Sequence, residues 1–124
     1  MIYEDPGRLI EHEMTPAVVD TILSRGPLDH LRVLPVVLGM DPPDGIDVER
    51  ICLDLAGHPD AWVRGNAATG MGHLARVTGR LQRKARIKRA LQALLQDERA
   101  LVCGKAGDAI SDIEIYLGWS FEPS

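Results

Sequence analysis

The residues through which this chain could do chemistry are four histidines, two cysteines and one set of Ser, His and Asp types, and their spacing decides what they can do. His12, His30, His58 and His73 stand at unrelated intervals. No two fall at i and i+4 on one helix, as a helical metal pair would, so each reads as a solvent-facing or turn residue. Cys52 and Cys103 form no CxxC pair, which leaves neither a zinc site nor a redox motif and favours buried, reduced thiols. A nucleophilic cysteine needs a base and an electropositive setting. Arg64 or His73 could provide these only through the tertiary fold. Ser111, His73 and Asp112 have the residue types of a hydrolytic triad without a spacing that supports one. Gly70-Met71-Gly72 follows no strand and reads as a helix-packing signal instead of a phosphate loop. No catalytic residue, metal or cofactor is therefore expected, and the chain reads as a non-enzyme.

What the sequence does carry is a repeat. His58 to Gly79 returns thirty-nine residues later as Asp97 to Gly118, and at that offset Val63 meets Val102, Gly65 meets Gly104 and Ala67 meets Ala106. Met71 meets Ile110, Leu74 meets Ile113 and Gly79 meets Gly118. The matches fall three and four residues apart, the apolar stripe of a helix repeated with its small residues in place.

The elements that must carry this stripe follow from caps and breaks. Thr15-Pro16 is an N-cap followed by proline at the first helical position, and predicts a helix to about Ser24, stopped by Arg25-Gly26-Pro27. A second helix is expected over about Leu28 to Leu38, with Pro35 threatening its middle. Pro42-Pro43-Asp44-Gly45 is the strongest break. A third helix is expected from the Asp47 cap to Ala56, burying Val48, Ile51, Cys52 and Leu55 with Glu49, Arg50 and Asp54 toward water. A fourth should span about Ala61 to Val77. Its three interior glycines, Gly65, Gly70 and Gly72, would cost about 1 kcal/mol each relative to alanine unless a neighbouring helix approaches closely. A fifth is expected over about Leu81 to Gln96 and a sixth over Ala100 to Leu117, ended by Gly118. The tail, with Trp119 and Phe121, is expected to fold back over the end of the stack.

With 124 residues, 45% hydrophobic but only 4% aromatic, the chain is one domain's worth with an aliphatic core. It has no apolar run of membrane length and no basic, apolar start, so no membrane partner and a cytoplasmic location are expected. Residues 1 to 62 hold twelve acids against four arginines, while residues 63 to 124 hold six against ten lysines and arginines. Asymmetry of this kind fits a charged partner or a solvated surface. The cluster Arg80, Arg83, Lys84, Arg86, Lys88 and Arg89 would allow phosphate contacts, but sparse aromatics and a negative total make nucleic acid the weaker reading.

The turn His58-Pro59-Asp60, the run Trp62-Val63-Arg64, the small pair Ala67-Ala68 and then Gly70-Met71-Gly72 and Leu74 resemble the HEAT repeat, over residues 46 to 118. The resemblance implies an all-α chain forming a short right-handed α-solenoid of about three helical hairpins. It divides the single domain into an N-terminal extension (1–14), a divergent first pair (15–40), a second (46–79), a third (80–118) and a tail (119–124). In the family the turn Asp and the Arg, here Asp60 and Arg64, stitch neighbouring repeats. The second copy has Arg99 and Cys103 there, which fits a terminal unit. The family commonly grips partners on the surface lined by the second helices. On that side the residues left over from the core stripe are Thr69, His73 and Arg76, with Arg80, and at the same offset Asp108, Asp112, Ile115 and Trp119. Small bacterial proteins of this type resemble immunity proteins, which implies a protein partner such as a basic toxin domain. A scaffold or adaptor, and a HEAT-like nucleic-acid-binding protein, glycosylase or phycobilisome-type lyase, are the alternatives.

Overall fold

Thr15 starts the first helix as its side chain accepts the Val18 N–H at 3.2 Å, leaving Pro16, which has no N–H to satisfy, in the first turn. In the computed structural model, which describes residues 13–121, this helix (α1) is Pro16–Arg25. It is followed by α2 (Leu28–Met40), α3 (Val48–Leu55), α4 (Ala61–Thr78), α5 (Lys84–Leu95) and α6 (Ala100–Leu117), with no strand among the described residues. The chain is all-α over that range. Most of the N-terminal extension, with His12, lies outside the described residues.

Side-chain caps open three of the six helices described, and left-handed glycines close two. Asp47 accepts the Arg50 N–H at 3.1 Å to open α3, and Asp60 accepts the Val63 N–H at 3.0 Å to open α4. Gly79 and Gly118, with φ of 70° and 68°, close α4 and α6 in the left-handed region that glycine enters without strain. Pro35 does not end α2. It sits buried inside the helix, and its carbonyl lies against Gly70 of α4, so packing offsets the lost backbone hydrogen bond.

Two expectations are corrected here. Helix α5 begins at Lys84, not Leu81, because the Glu49 carboxylate accepts the backbone N–H groups of Gln82 and Arg83 and holds them out of the helix. Glu49 accordingly does not face water: it is 7% exposed and also lies 3.7 Å from the Arg83 guanidinium.

The second helices lie side by side. Asn66 of α4 donates to the Arg32 carbonyl early in α2, and Gly70 meets Pro35 and Gly39 further along both helices, so the two run parallel. In the same sense Gly65 meets Leu101 and Val102, and Gly72 meets Ala109, which places α6 parallel to α4 on its other side. Helix α1 packs on α2, α3 against α2 and α4, and α5 against α4 and α6, forming the other layer. Between the layers lie Ile22, Leu34, Leu38, Met71, Ile87, Leu91 and Ile113, an aliphatic core as the composition requires. A Cβ on Gly70 would lie 2.5 Å from the Pro35 oxygen and 2.9 Å from Cys52 Sγ, and one on Gly72 would lie 3.1 Å from Ala109 Cα. The glycines of α4 therefore mark its two close approaches.

Ion pairs tie α2 to the start of α4, and α4 to the loop before α6. Arg32 binds Asp60 through two hydrogen bonds of 3.0 and 2.8 Å, and Arg64 binds Asp97 through two of 2.9 and 3.1 Å. Asp60 and Arg64 thus do not bind each other. Asp60 reaches back to Arg32 of α2 and Arg64 reaches forward to Asp97, two positions before the Arg99 that the repeat alignment places opposite Asp60. At a second joint Arg83 pairs with Asp47.

These arginines hold Asp47, Asp60 and Asp97 below the usual carboxylate range, each chiefly through its hydrogen bond to the arginine. Unfolded, the same acids titrate near about pH 3.9. A pKa depressed on folding contributes stability that is complete above the unfolded value and lost as pH falls through the folded one. The urea midpoint is expected to be flat above about pH 5 and to fall steadily below about pH 4. Asp97→Asn should be less stable at pH 6 and show a shallower acid decline. A decline as steep as that of the parent chain would mean that Arg64 does not depress Asp97.

Candidate functional site

Along α4, the line from His73 to Arg76 faces outward beside α6, and its geometry follows from helical spacing. His73 is half-buried and Arg76 is exposed. Arg76 Nη2 donates to His73 Nδ1 at 2.9 Å, which requires a lone pair on that nitrogen and so places the imidazole proton on Nε2. Burial first, then the Arg76 charge, pushes the His73 pKa down, while Asp112 opposes them by raising it. Asp112 is half-buried at the α4–α6 seam, where its Oδ2 would stand 3.2 Å from a Cβ on Gly72. The structure therefore brings His73, Arg76 and Asp112 together. It does not build a triad from them: Nδ1 of His73 accepts from Arg76 instead of donating to a carboxylate.

Thr69 is half-buried and turned back onto its own helix, its hydroxyl donating to the Gly65 carbonyl at 3.3 Å. Asp108 is exposed on α6, and Ile115 is 72% exposed, the most exposed of the large apolar side chains among the described residues. Trp119 does not continue this line. Helical spacing ends at Leu117, and Gly118 turns the chain so that Trp119 and Phe121 run along α5, with Phe121 buried. The Lys84 ammonium stands 5.3 Å from the Trp119 ring centroid and that of Lys88 5.7 Å from the Phe121 centroid. Trp119 to Phe121, the part of the tail described, thus fold back along α5.

At the other end of the same surface is a pair that spacing had not singled out. Trp62, seven and eleven residues before Thr69 and His73, is 46% exposed, and Lys105 of α6 places its ammonium 5.5 Å from the ring centroid. The same helical period, extended backward from Thr69, would have found it. The face then runs from an aromatic–cation pair, past Asp108 and the His73–Arg76–Asp112 group, to an apolar side chain at Ile115.

The other chemistry-bearing residues are structural. His30 is buried in α2, contrary to the solvent-facing reading, because its helical position turns it into the space between layers. His58 is a turn residue whose Nδ1 accepts the Asp60 N–H at 3.0 Å. Burial, and the neighbouring Glu49 charge, push the Cys52 thiol up to about 12, far from a nucleophilic thiolate. Cys103 is half-buried, not fully buried, and its thiol donates to the Asp97 carbonyl at 2.8 Å. Among the described residues, no group of three or more His, Cys, Asp or Glu could hold a metal ion, and no helix is long and apolar enough to cross a membrane. No protein-family model matches the chain, and no curated protein or solved structure is significantly similar to it.

Proposed function

We propose that this chain is a non-catalytic protein-binding module, a short right-handed α-solenoid of HEAT-like hairpins that holds a protein partner across α4 and α6. In this reading it serves as an immunity protein, and its partner is a basic bacterial toxin domain that it neutralises. The observation that carries the reading is the exposed Ile115, large and apolar, on the helix that also presents Asp108 and Asp112. An apolar anchor with polar neighbours is the composition of an interface centre, and acids beside it favour encounter with a cationic partner. Trp62 at the far end of the face supplies a second anchor of the residue type most enriched at hot spots.

Asp108 and Ile115 have high exposure and no part in the core, so they can be changed without unfolding the chain. The immunity reading requires a toxin gene beside this one, and Asp108→Lys with Ile115→Asp is expected to weaken binding of that toxin by at least about thirtyfold, the effect of one hot spot. It should also abolish rescue of growth when the two are co-expressed. Helical circular dichroism should stay unchanged. Undiminished rescue by the variant would rule out this face.

A further inference from the structure

Helix α5 carries a charge pattern that its own fold does not use. Its twelve residues include Lys84, Arg86, Lys88 and Arg89 and no acid, and Arg80 stands exposed just before it. Cations in the first turn of a helix oppose the macrodipole, and acids that would relieve them are missing from that turn. Of the basic residues from Arg80 to Arg89, the arginine that forms ion pairs among the described residues is Arg83, which takes up both Asp47 and Glu49. Lys84 and Lys88 lie over the rings of the tail, while Arg86 and Arg89, one helical turn apart, are exposed and bind nothing within the described chain. Helical spacing puts Ala85 and Gln92 between the lysine row and the arginine row and Ala93 between the two arginines, so this part of the surface is cationic with small or polar neighbours, while the part-exposed Leu95 lies at the far end of the helix toward α6.

We infer that the outward face of α5 is a second binding surface and that its partner is the phosphate backbone of a nucleic acid. The negative total charge of the chain is no obstacle locally, since the nearest acids are already occupied by Arg83. Arginine forks bind phosphate oxygens in pairs, and a charged row on an open helix needs no pocket to do so. Around the two arginines the helix offers only Ala85, Gln92 and Ala93 to a lipid surface, which sets this row apart from an interfacial membrane helix. It lies on the layer opposite the α4–α6 surface and does not depend on the protein-binding reading. Base edges are not read in this mode, so binding is expected to be independent of sequence.

The test uses the full chain and a fluorescein-labelled duplex of mixed sequence, with fluorescence anisotropy recorded over a range of salt. Contact with about four phosphates predicts a fall in affinity on the order of a hundredfold between 50 and 200 mM salt. Arg86→Glu with Arg89→Glu should reduce affinity at least about tenfold and the salt slope by about two, with the circular dichroism unaltered. The same affinity in the variant would overturn the inference. So would binding to phosphatidylserine vesicles without binding to the duplex, or salt-dependent self-association without either.

Discussion

Replacing Gly70 by alanine is expected to destabilise the chain even though alanine is the better helix former. In an open helix the change would add stability of about 1 kcal/mol. Here the new methyl would stand 2.5 Å from a backbone oxygen of α2 and 2.9 Å from the buried thiol of Cys52, and neither is the free end of a flexible side chain. Overpacking of this kind costs about 1 to 3 kcal/mol, and contact with backbone puts it at or above the top of that range. A net loss of about 2 kcal/mol should lower the melting temperature by about 10 °C. Gly104 is the control: it occupies the matching position of Gly65 in the repeat, but a Cβ there meets nothing within 4 Å. Gly104→Ala should therefore raise the melting temperature by a few degrees. If both substitutions moved thermal unfolding in the same direction, close approach would not be the reason for glycine in α4.

That contrast shows what the sequence could and could not convey. Local signals were legible because their partners lie within one helical turn: Thr15, Asp47 and Asp60 open helices, and Gly79 and Gly118 close them. The glycines of α4 were legible for another reason, since their cost inside a helix calls for a close neighbour even though the sequence does not say which one. What was missed depends on distant partners. The start of α5 is fixed by a carboxylate thirty-three and thirty-four residues upstream, which no local propensity encodes. The Arg32–Asp60 and Arg64–Asp97 pairs span twenty-eight and thirty-three residues, so a rigid repeat offset could not register them. On the candidate face, His73, Arg76 and Asp112 come together as helical spacing implies, since α4 and α6 run parallel. Trp119 does not join them, because a single positive φ at Gly118 ends the period on which its placement relied.

Glu49 provides the other large effect, because one side chain stands in for the side-chain N-cap that α5 lacks. Arg83, the residue before α5, gives no side-chain cap, so the loop leading into the helix depends on α3 for its acceptors. The Glu49 carboxylate takes the Gln82 N–H at 2.9 Å and that of Arg83 as well, from a buried position. Glu49→Ala removes both acceptors and leaves nothing of similar shape behind. Each partly buried N–H left without a partner costs about 1 to 3 kcal/mol, so a total loss of about 3 kcal/mol is expected in urea unfolding. Glu49→Gln keeps a single acceptor oxygen and should fall between the variant and the parent chain. The same interactions predict a local signature: amide exchange at Gln82 and Arg83 should accelerate more than elsewhere, because these two groups lose their acceptor directly. A loss in Glu49→Ala within the roughly 0.5 kcal/mol typical of a surface substitution would show that water replaces the carboxylate at no cost, and that α3 does not set where α5 begins.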